Sequence, residues 1–270
     1  MRWQVLPWLP VLLAGVALYG LVYCATMISG NVIFFASVLM VGALTVPATF
    51  LMYSAWLVGT VRVPASTLGL VATAGGVLGV AISGVVEIAT LPGRHAVLAN
   101  LGVGMIEETT KLLVPVALFL AVRRYRHEVD GLFIGLAVGT GFAALETAGY
   151  GVQALLASQG SLDAVDEVMR VRALAGPPGH LAWTGLATLA LWRLCGHRSV
   201  RCAAGFAATF ALVVVLHGLW DLYPVWWMYT ALSLVGLGWL HYRLLHARRT
   251  VTEAVPAPRT EAPELSEVTP

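Results

Sequence analysis

Long apolar runs recur almost without interruption from Val5 to Leu245, and no other feature restricts the fold of this chain as strongly. A backbone N–H or C=O in lipid finds no water. A spanning segment must therefore satisfy its own polar groups as a helix, or close into a barrel. The runs lack the apolar–polar alternation of barrel strands, which leaves helices. Eight segments approach the roughly 20 residues that a bilayer crossing needs: 5–28, 32–58, 66–90, 97–122, 131–157, 178–195, 202–222 and 225–245. Charged residues are only 11% of the 270, against about 25% in soluble domains, too few to cover a soluble surface. The expected fold class is all-α, a polytopic membrane helix bundle of about eight transmembrane helices.

Orientation follows from the arginines. With the N-terminus in the cytoplasm, the inner segments hold Arg2, Arg62, Arg123, Arg124, Arg126, Arg193, Arg198, Arg201, Arg243, Arg248, Arg249 and Arg259. The outer segments hold Arg94, Arg170 and Arg172. This asymmetry predicts that both termini lie inside. The first run is long for a signal-peptide core and lacks a cleavage site after it, so it reads as a retained span. The segment 157–176 mixes Asp163, Asp166, Glu167, Arg170 and Arg172 with apolar residues and reads as an amphipathic helix on the outer surface between spans five and six. A membrane domain over 1–246 and a disordered cytoplasmic tail over 247–270, rich in Pro, Glu and Thr, complete the organisation. Cys24, Cys195 and Cys202 have no metal or disulfide spacing and read as small buried hydrophobes. Trp3, Trp8, Trp220, Trp226 and Trp227 read as interface anchors. The glycines of "GGVLGVAISG" read as close-packing positions.

Against this background the ionisable residues inside the spans need a reason, because each costs roughly 2.5–3.5 kcal/mol to insert. They are Glu87, Glu107, Glu108, Lys111, Glu146, His180, His217 and Asp221. Counted from the span ends at 1.5 Å per residue, Glu107, Glu146, His180 and His217 share a level within roughly the outer 15 Å of the bilayer. His217 and Asp221 are four residues apart and project from one helix face, as do Glu107 and Lys111. Glu108 is three from the same lysine. The lysine is expected to neutralise one glutamate and leave the other for chemistry. His180 follows "GPPG" and is expected in the first turn of a helix that starts at Pro177 or Pro178. Glu87 reads equally as a bridge between helices.

Three motifs in order, "EETTK" at 107–111, "FAALE" at 142–146 and "HGLWD" at 217–221, with His180 between the last two, resemble those of the PrsW family of intramembrane proteases. That family is related to the CAAX-processing and bacteriocin-immunity (CPBP) proteases. The resemblance covers the motif-bearing core, about 98–222. It implies hydrolysis of a peptide bond in a membrane-anchored protein substrate near the outer leaflet of a bacterial plasma membrane; in the founding member the substrate is an anti-sigma factor. The catalytic candidates are Glu107, Glu108, Glu146, His180, His217 and Asp221, with Lys111 as charge partner. Glu107 or Glu108 is the candidate base for the attacking water. His180 and His217 could stabilise an oxyanion, or hold Zn2+ with Glu146 or Asp221 as third ligand. A metal-free, glutamate-dependent reaction remains the other reading. The expected partners are a membrane-anchored substrate and the lipid bilayer, with no nucleic acid; the oligomeric state is open. A proton-coupled transporter using the same groups as a relay is the alternative. The spans show no inverted repeat, and the polar set is confined to one leaflet.

Overall fold

The computed structural model describes residues 6–253. Among these the chain forms helices α1 (Trp8–Ser29), α2 (Ile33–Val58), α3 (Ala65–Thr90), α4 (Ala96–Ala121), α5 (Glu128–Ala157), α6 (Leu162–Ala175), a π turn (Pro177–Leu181), α7 (Ala182–His197), α8 (Val200–Leu222) and α9 (Trp226–Glu253). No strand occurs among the described residues. α1, α2, α3, α5 and α8 are each long and apolar enough to cross a bilayer. α4 has the length but carries Glu107, Glu108 and Lys111 near its middle. α7 has only 16 residues beyond the π turn.

α5 is the hub. It packs against α2, α3, α4, α6, α7 and the π turn, and Phe133, Ile134, Leu136, Ala137 and Val138 are fully buried along it. Its start is set by a reciprocal cap. Nδ1 of His127 accepts from the Val129 N–H, and the Asp130 carboxylate accepts from the His127 N–H at 3.1 Å. On α3 the glycine run does pack closely, Gly76 against the backbone of Gly141 on α5. α1, by contrast, turns Leu13, Leu18 and Leu21 outward, the surface a lipid-facing helix presents. α6 lies across α2 and α5 and buries Val165 and Met169.

Three expectations change. Cys24 is exposed on α1, and Cys195 and Cys202 are only half-buried, Cys195 at the edge of the main core. α9 runs on to Glu253, past the expected tail start at 247. The added residues include Ala247, Arg248 and Arg249, and alanine and arginine are strong helix formers. Residues 254–270 and Trp3 lie outside the described residues. Trp8 stands edge-on to Tyr53, and Trp220 stacks on Tyr229, with ring centroids 4.3 Å apart; Trp226 and Trp227 are exposed. Finally, the segment before α7 is a π turn. Pro177 and Pro178 have no N–H to give an α-helical ladder, and Leu181 N–H instead reaches back five residues to the Gly176 carbonyl.

Candidate active site

The sequence spacing on α4 puts Glu107, Glu108 and Lys111 on neighbouring faces of one turn. All three are buried, Lys111 completely. An ammonium has three hydrogens and no lone pair, and here each hydrogen has an acceptor. Nζ lies 3.0 Å from Glu107 Oε2, 2.8 Å from Glu108 Oε1 and 2.9 Å from His180 Nδ1. It also sits over the Phe142 ring, 4.1 Å from the centroid. The lysine therefore serves both glutamates, whereas the spacing alone suggests that it neutralises one.

His180 comes from the π turn. Since its Nδ1 accepts from Lys111, the hydrogen-bond network assigns the ring hydrogen to Nε2. That nitrogen is 2.8 Å from Glu146 Oε2. The same carboxylate oxygen is 2.7 Å from the Arg172 guanidinium, so two nitrogens crowd one oxygen at ion-pair distance, neither aligned as a hydrogen bond to it. Close backbone approach makes this possible. At Gly139 on α5, a Cβ would stand 2.5 Å from the His180 carbonyl oxygen; any side chain there pushes the π turn away.

His217 comes from α8. Its Nδ1 is 2.9 Å from Glu108 Oε1; a carboxylate only accepts, so Nδ1–H donates. Its Nε2 faces Glu107 Oε2 at 3.4 Å and Asp221 Oδ2 at 3.5 Å. Gly104 on α4 permits the approach, since a Cβ there would meet the Val214 carbonyl oxygen of α8 at 2.7 Å. Trp183 packs beside His217, with ring centroids 5.5 Å apart. Glu87 on α3 is half-buried and lies within electrostatic range of Glu107 and Glu146; its Oε1 is buried without a hydrogen-bond partner.

A small cavity opens between Glu146, Arg172, His180, Trp183, His217, Trp220 and Asp221. Water centres can occupy about 20 Å³ of it, room for about one water. The donor atoms of Glu107, Glu146 and His180 lie within 4.8 Å of one another. His217, expected beside His180 and Glu146 as a ligand, is outside that trio and faces Glu107, Glu108 and Asp221 instead.

Arg172 is the site residue that sequence reasoning missed; it reads there as part of the amphipathic outer helix. A signal for it exists. Val165, Met169 and Arg172 follow one another at helical spacing on a single face of α6, and the first two are buried. An arginine continuing an apolar stripe points at the protein, not at solvent. Trp220 likewise borders the cavity, beyond its expected place at the interface.

Helices this apolar, closed around four carboxylates, two imidazoles, an ammonium and a guanidinium, define a multi-pass membrane protein with a polar cluster inside its helix bundle. The profile of the PrsW family intramembrane metalloproteases matches residues 13–245. The chain belongs to that family and is an intramembrane protease. No curated protein and no solved structure gave a match.

Proposed function

We propose that the chain hydrolyses a peptide bond of a membrane-anchored protein, an anti-sigma factor being the substrate the family resemblance suggests, near the outer leaflet of a bacterial plasma membrane. In this reading α4, α7 with its π turn, and α9 join the five apolar helices as crossings. Both termini are cytoplasmic, and α6 lies at the outer surface; the arginine asymmetry supports this. The observation that carries the proposal is the convergence of Glu146, Arg172, His180 and His217 on a cavity for one water, with the Glu107 carboxylate close behind Glu146 and His180.

Glu107 takes the proton of the attacking water. Its side chain lies within reach of both Glu146 and His180, a grouping that Glu108 does not join. Glu108 and Lys111 are positioning residues. The lysine fixes the His180 tautomer, and Glu108 orients His217. The His180 Nε2–H and the Arg172 guanidinium now meet on a Glu146 oxygen; a substrate carbonyl competes for the same donors, which stabilise its oxyanion as charge develops. The proton taken by Glu107 then passes to the leaving amine. With both nitrogens protonated, His217 pairs with Glu108 through Nδ1–H and with Glu107 and Asp221, at the cavity mouth, through Nε2–H.

The residues fit a metal in donor type and in charge. Glu107, Glu146 and His180 offer two oxygens and a nitrogen in a buried cluster, a set suited to Zn2+. The four carboxylates outnumber Lys111, Arg172 and a His217 ring whose two nitrogens both face carboxylates, which leaves the cluster net negative, as a cation site requires. Ligation through Nε2 requires its hydrogen to leave, and so requires Lys111 to yield its contact with Nδ1. When bound, the ion would supply Lewis acidity toward water and carbonyl. One zinc per chain is the expected content of purified wild-type protein, with loss in His180→Ala. A fully active, zinc-free wild type would assign the reaction to the protein groups alone.

The peptidase reading is tested with the full chain in proteoliposomes and single-span reporters carrying a library of juxtamembrane sequences. Cleavage is expected from the wild type, slowed about 10²-fold or more in Arg172→Gln, as for loss of an oxyanion donor. Proton flux without cleavage of any reporter would replace the protease with a relay.

A further inference from the structure

At the opposite end of the bundle, where α5 begins and α7 and α9 end, a second cleft of about 410 Å³ opens. Its size falls within the roughly 300–1,000 Å³ of small-ligand sites. Neither the peptidase chemistry nor the family motifs involve it. Its charged lining is unbalanced. Arg126, Arg193 and Arg243 border it, and Glu128 is the only acid among the described residues that line it. That acid is already engaged, 2.6 Å from Arg193 and 3.8 Å from His197. Arg126 lies over the Phe119 ring at 3.7 Å and forms no ion pair among the described residues. Arg243 is half-buried on α9 and also forms none among them. A partly buried guanidinium without an ion pair, as at Arg243, is costly. With the exposed Arg126 beside it, and Arg193 balanced by Glu128, the cleft carries a net charge of about +2 for an anion to meet.

The floor differs from the rim. Leu132 and Leu189 line the cleft beneath the arginines and are buried. Charged groups above an apolar floor, at the ends of membrane helices, match the two halves of a phospholipid at the headgroup boundary. Guanidinium pairs match phosphate oxygens by planar, forked hydrogen bonding.

We propose that this cleft binds a phosphate anion, carried by the headgroup of an anionic glycerophospholipid from the leaflet at that end. Arg126 and Arg243 hold the phosphate, while Arg193, tied to Glu128, completes the rim. The lipid joins α9 to the start of α5 and the end of α7, across the cytoplasmic face in the orientation proposed above.

The test uses the full chain in detergent micelles, with bound lipid counted by native mass spectrometry. Phosphatidylglycerol is titrated against phosphatidylcholine, and inorganic phosphate is added as competitor. Wild type is expected to retain phosphatidylglycerol preferentially, to lose it as ionic strength rises, and to release it to excess phosphate. Arg126→Gln with Arg243→Gln is expected to weaken retention roughly 25-fold, about fivefold for each charge. The pair Arg123→Gln with Arg201→Gln removes two exposed charges outside the cleft and is expected to leave retention unchanged. Equal retention of the two lipids by wild type, or equal loss in both double variants, overturns the site. Phosphate binding that depends on Arg126 and Arg243 without any lipid preference overturns the lipid assignment. The salt titration on wild type needs no variant, so a double variant that fails to fold does not rescue the proposal.

Discussion

Glu107→Gln is expected to slow cleavage of a single-span reporter by about 10²- to 10⁴-fold, the range for a lost general base, while leaving the bundle folded. Glutamine keeps the size of the side chain and its acceptor toward Lys111, but cannot take a proton from water. Glu108→Gln should behave differently. Glu108 is fully buried and holds Lys111 and His217 at 2.8 and 2.9 Å. Its amide replacement keeps one acceptor, so the reaction should slow by far less, with a visible loss of thermal stability. The comparison requires equal amounts of folded protein, judged by melting in detergent. An active Glu107→Gln beside a silent Glu108→Gln would exchange the two assignments.

Lys111→Met should give the largest loss of stability, about 3–5 kcal/mol, the range for removing one partner of a buried ion pair. The cost has identifiable sources. The side chain is wholly buried, and its three hydrogens satisfy Glu107, Glu108 and His180. Without them two carboxylates face each other with no ammonium between, and Nδ1 of His180 loses the donor that sets its tautomer. Adding Glu108→Gln removes one of the stranded charges. The double variant should therefore recover part of the stability, with a coupling that a double-mutant cycle measures, but not the activity, since the His180 tautomer stays unset. Unchanged melting in Lys111→Met, or no recovery in the double variant, would make the lysine a bystander.

Much of this site was legible because its pieces are local. Glu107 with Lys111, and His217 with Asp221, are neighbours by helical spacing alone, and the shared depth of Glu107, Glu146, His180 and His217 follows from counting residues along spans. Arg172 was not legible from charge, since an arginine in an amphipathic helix ordinarily faces water. Only the continuation of the Val165 and Met169 stripe marks it. The π turn escaped because two prolines at a helix start ordinarily signal an α-helical first turn.

By itself the sequence determined that the described chain would be helical and membrane-embedded, since apolar runs of this length have no other way to satisfy their backbone in lipid. It also determined which acids and imidazoles would share a helix face. Tertiary structure alone decided that Lys111 serves two glutamates and an imidazole, that Arg172 and His180 meet on one oxygen of Glu146, and that the space left holds about one water. The reason is one of range. The faces of a helix follow from its own period, whereas distances between helices depend on side-chain volumes far apart in the chain, such as the missing Cβ atoms of Gly104 and Gly139 that let α8 and the π turn close on the centre.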